Sequence, residues 1–124
     1  MERFSQHRSA TGALVFLLLG PLVWSIHFFI IYAAHASLCA LTGGMGTVWI
    51  TVIILAVTAL GALALVSAAL GPMPVYRLLV RHPGGDEETR FLIAGMRLLA
   101  GLSTLAIIWG GTAVLVLPLC AQLR

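Results

Sequence analysis

VWITVIILAVTALGALALVSAAL, residues 48–70, decides the fold. It carries no charge and no proline from end to end. A bilayer's hydrocarbon core, about 30 Å thick, needs about 20 consecutive apolar residues at helical rise. This stretch meets that length. Working outward, 13–37 (ALVFLLLGPLVWSIHFFIIYAAHAS) and 92–118 (LIAGMRLLAGLSTLAIIWGGTAVLVLP) have the same character. No acidic residue interrupts any of the three, and Arg97 is the single cation among them.

The whole chain of 124 residues is 60% hydrophobic and 9% charged, with a mean hydropathy of +1.07. Such a composition excludes an ordinary soluble domain. The expectation is an all-α membrane protein with three transmembrane helices at about 13–37, 48–70 and 92–118, forming one domain over 1–124. The polar piece 71–90 is too short and too rich in Pro and Gly to bury a core of its own. Ala34-His35-Ala36 resembles a signal-cleavage site, but the preceding apolar run far exceeds the roughly 7–15 residues of a cleaved signal. Span 1 is therefore read as a retained helix.

All seven cations are arginines. Arg3 and Arg8 precede span 1, and Arg77, Arg81, Arg90 and Arg97 lie between span 2 and the early part of span 3. The connection 38–47 carries no charge, and only Arg124 follows span 3. Cationic loops stay on the cytoplasmic side. The N-terminus is therefore expected in the cytoplasm and the C-terminus in the periplasm of a bacterial inner membrane. Membrane lipids account for the arginines through their anionic headgroups, and nothing suggests nucleic acid.

Further local signals refine the course of the chain. Residues 1–10 read as a short polar arm. Gly20-Pro21 should kink span 1, because proline removes a backbone donor. Gly71-Pro72-Met73-Pro74 stops span 2, and 75–82 alternates apolar and basic residues as an interfacial segment would. Asp86 reads as the N-cap of span 3, with Glu87 and Glu88 in its first turn, favourably placed for the helix dipole. Thr58, Gly61, Ala62, Ala64, Ser67, Ala68 and Gly71 on span 2 are small enough to allow close helix approach. Ala100, Gly101, Ser103, Thr104, Ala106, Gly110, Gly111 and Ala113 offer the same on span 3.

The unusual side chains gather on span 1. Trp24, His27, Phe28, Ile31, Tyr32, His35 and Cys39 follow helical steps of three and four and form one stripe. On span 3, Trp109, Ala113, Val116 and Cys120 follow similar steps. If the stripes face each other, Trp109 meets the middle of span 1 and the two cysteines meet at the outer end. His27 lies deep in the hydrocarbon, where an ionisable group defaults to a functional hypothesis. The alternative is a neutral imidazole bonded to Ser25, to a carbonyl near Pro21, or to a partner subunit. Arg97 either snorkels to headgroups or pairs with an acid on a partner.

Cys39 and Cys120 have two readings. On an oxidising periplasmic face a Cys39–Cys120 disulfide is expected. A copper site from His35, Cys39, Cys120 and Met45 is the alternative, since sulfur with imidazole suits Cu(I). Haem ligation within one chain is not expected, because His27 and His35 lie about 12 Å apart along one helix. No cofactor and no catalysis is expected.

The segment Gly20-Pro21-Leu22-Val23-Trp24-Ser25-Ile26-His27-Phe28, with Tyr32, Cys39 and the late Pro118 and Cys120, resembles a family of small proteobacterial three-helix membrane proteins. These tend to be encoded in haem–copper cytochrome oxidase gene clusters. The resemblance implies an accessory or assembly role within a hetero-oligomeric respiratory complex of other integral-membrane subunits. It supplies no catalytic residues.

Overall fold

A computed structural model describes residues 2–42, 47–80 and 85–116. They form five helices: α1 (Glu2–Leu17), α2 (Leu19–Thr42), α3 (Thr47–Leu70), α4 (Pro72–Leu79) and α5 (Asp86–Val116). Three helical stretches are long and apolar enough to cross a membrane: Leu19–Ser37 in α2, Val48–Leu70 in α3 and Asp86–Ala113 in α5. The three-span, all-helical reading holds.

Several boundaries differ from expectation. The polar arm is helical from Glu2. Extending a helix already nucleated in the apolar stretch adds a hydrogen bond for each residue fixed, so the polar start joins at low cost. The break in span 1 falls at Leu18, three residues before Pro21. Pro21 has no N–H to give the Leu17 carbonyl, so the disturbance appears in the preceding turn. The chain still carries through, with Leu18 N donating to Leu14 O at 2.9 Å and Leu22 N to Leu18 O at 3.0 Å.

The Gly71-Pro72-Met73-Pro74 run ends α3 as expected, but it also starts α4. Both prolines fall in the first turn, where no intrahelical N–H is needed. The 75–82 segment is thus largely helix, and Val80 N closes it on Tyr76 O at 2.8 Å. The helix of span 3 starts at Asp86, within a residue of the start that the N-cap reading implied. Gly85, whose carbonyl accepts Thr89 N at 3.1 Å, takes the cap position expected of Asp86. The three acids do lie in the first turn.

α2, α3 and α5 pack on one another, with α2 and α5 parallel and α3 antiparallel to both, as their residue-to-residue contacts show. Glycines mark the register. A Cβ on Gly20 would fall 2.8 Å from the Leu99 carbonyl and 2.9 Å from Ala100 Cα, so here backbone meets backbone. Gly95 lies against Leu17, Gly61 against both His27 and Ile107, and Gly111 against the Thr58 side chain. Gly12 seats α1 on the Leu79 carbonyl of α4.

The buried side chains form two zones. Phe16, Tyr76, Val80, Leu92, Met96 and Ala100 cluster where α1, α4 and α5 meet. A thinner line, including Ile50, Ile54, Thr58, Leu65, Ser103 and Ile107, runs between the spans. Of the small residues singled out on span 3, Ala100, Ser103 and Gly111 face inward, while Gly101, Ala106 and Gly110 face out. Eight such residues wrap more than half the helix circumference, so they cannot all share one contact.

Candidate functional site

Where the three spans cross, His27 is only 5% exposed. Thr58 Oγ1 donates to the Ile54 carbonyl at 2.7 Å, which commits the hydroxyl's single proton. The contact between His27 Nε2 and Thr58 Oγ1 at 3.1 Å therefore runs from the imidazole N–H to the hydroxyl oxygen. Gly61 leaves room for the ring, with its Cβ position 3.8 Å from His27 Cδ2. Gly111 on α5 seats the other side of Thr58. Interhelical hydrogen bonds of this kind average about 0.6 kcal/mol in membranes and reach about 1.7. The arrangement fixes how α2, α3 and α5 slide and rotate against one another.

Within the chain, neither Ser25 nor a carbonyl near Pro21 is the partner of His27 Nε2, which takes Thr58. Ser25 Oγ instead donates to the Pro21 carbonyl at 2.8 Å. Thr58 carried a signal: it sits one turn from Gly61, so the opening and the acceptor lie on one side of α3.

The aromatic members of the span 1 stripe are turned out of the bundle. Phe28 and Tyr32 are 61% and 69% exposed, and Trp24 is exposed with them. The Trp24 and Phe28 rings lie 6.2 Å apart, tilted by 35°. The inward row is Gly20, Val23, His27, Ile31 and Ala34. His35, on the flank, is half-buried. Close approach belongs to the smallest residue, so Gly20 on the Ala100 backbone sets the rotation and swings the aromatic row outward. Trp109 is 82% exposed and does not meet the middle of span 1.

Among the described residues, Arg97 bonds a carbonyl of the neighbouring span rather than a carboxylate. Its Nε donates to Ala69 O at 2.9 Å, in the last turn of α3, where carbonyls lack helical partners and the dipole favours a cation. At the same end, Thr89 Oγ1 donates to Gly85 O at 3.2 Å. Tyr76 OH in turn donates to Thr89 Oγ1 at 3.1 Å. The Tyr76 ring meets Phe16 edge-on, with centroids 5.3 Å apart and planes at 81°. This ties α4 to both α1 and α5.

The cysteine and copper expectations fall on Met45, Cys120 and the Cys39 side chain, which lie outside the described residues. Among the described residues, no group of three or more His, Cys, Asp or Glu is gathered as a metal would require. The chain matches no protein-family model, no curated protein and no solved structure.

Proposed function

We propose that this protein is a non-catalytic accessory subunit or assembly partner of an inner-membrane respiratory complex, with a haem–copper oxidase as the partner. The observation that carries the reading is the outer face of α2. Its membrane window is only 11% buried within the bundle, the lowest of the three, and it presents Trp24, Phe28 and Tyr32 side by side. Aromatic side chains dominate the energetics of protein interfaces. An aromatic row left outside by its own bundle suits contact with another subunit's helices. The oxidase is supported by the resemblance of the 20–39 segment, and the cytoplasmic placing of the N-terminus and the α4–α5 connection by the arginine distribution.

Purification in mild detergent from native membranes tests the proposal. Oxidase subunits should co-purify, and Trp24→Ala/Phe28→Ala/Tyr32→Ala together should release them while the protein stays inserted. Protein that purifies without oxidase subunits and carries copper dependent on Cys39 and Cys120 would overturn the reading in favour of copper handling.

A further inference from the structure

One flank of α5 combines an anchored cation with open space over a glycine. Arg97 is held by the Ala69 carbonyl, close to the end of the Val48–Leu70 span, so its guanidinium is fixed at the level where that span leaves the hydrocarbon. Its remaining N–H donors are available, and the side chain is exposed. Arg90, also exposed, lies two turns further out on the same side of α5, about 10 Å along the axis. Asp86 and Glu87, about one turn beyond Arg90, are the neighbouring acids on that flank. Among the described residues neither arginine is paired with a carboxylate.

One turn in the opposite direction from Arg97, toward the hydrocarbon, stands Gly101. A Cβ there would meet nothing within 4 Å. The exposed side chains of Leu98 and Leu105 flank this gap. Arginines at headgroup level, followed by exposed leucines around an open glycine position, match the two ends of one phospholipid molecule. Two unpaired guanidinium groups favour a lipid of net negative charge.

We propose that this flank of α5 is an acidic-phospholipid site. The lipid phosphate sits between Arg97 and Arg90, and one acyl chain lies over Gly101 between Leu98 and Leu105. The site does not depend on any partner subunit.

Nanodiscs of phosphatidylcholine and phosphatidylglycerol in equal amounts, followed by native mass spectrometry of the released protein, test it. Phosphatidylglycerol should be enriched among retained lipids, and Arg97→Gln or Arg90→Gln should each lower that enrichment about fivefold. Gly101→Leu should reduce total retained lipid by filling the space over the glycine. Arg77→Gln, on the outer face of α4, should leave the enrichment unchanged. Equal loss with Arg77→Gln would mean a diffuse basic surface and overturn the proposal. So would no enrichment, or full displacement of the lipid by millimolar inorganic phosphate. Should Arg97→Gln fail to insert, Arg90→Gln and Gly101→Leu still decide the matter.

Discussion

His27 and Thr58 are joined by one hydrogen bond across two spans, and a double-mutant cycle reads that coupling directly. His27→Ala and Thr58→Val, measured alone and together by reversible unfolding in mixed micelles, should give a coupling of about 0.6–1.7 kcal/mol. Additive losses would contradict the bond. The glycines allow a sharper contrast. Gly111→Ala drives a methyl into the Thr58 side chain, whereas Gly101→Ala points into open space. The first should destabilise by about 1–3 kcal/mol as overpacking does, and the second should be near neutral. Equal effects would contradict the rotation of α5. His27 was legible as special because an imidazole in a long apolar helix is costly without a role. Its acceptor was not, since α3 carries both Thr51 and Thr58 within the span and only the register selects Thr58.

The elements themselves were written plainly where length and hydropathy decide, as for α3. The polar start of α1 and the proline-rich start of α4 were not. In both, helical continuation or first-turn position cancels a local signal against helix. Pro21→Ala should restore the hydrogen bond to the Leu17 carbonyl and straighten α1 onto α2. Phe16 would then be drawn off Tyr76. Spin labels at Val15 and Leu78, both on exposed positions, should report a changed distance between α1 and α4. An unchanged distance would mean that the Gly12–Leu79 contact, not the proline, sets the angle. The cysteines carry a prediction that rests on the sequence alone: if Cys39 and Cys120 form the disulfide expected on an oxidising face, non-reduced protein resists alkylation and His35→Ala leaves the cysteines oxidised. Free thiols in native membranes would contradict it.

At the scale of the molecule, three spans with a thin shared interior leave most of their surface outside the bundle. The rotation of α2 by Gly20 is what sorts that surface. It seals His27 inside and leaves the Trp24, Phe28 and Tyr32 row facing away. Sequence periodicity grouped His27 with the aromatic row because steps of three and four cover about a third of a helix. Such a width does not say which edge faces the neighbour. Photo-crosslinking in native membranes tests the central claim most directly. A photoreactive residue at Phe28 should yield an adduct with an oxidase subunit, while one at Leu63, at least as exposed on α3, should yield none. Adducts from neither position, or the same adducts from both, would contradict a subunit that docks through the aromatic face of α2.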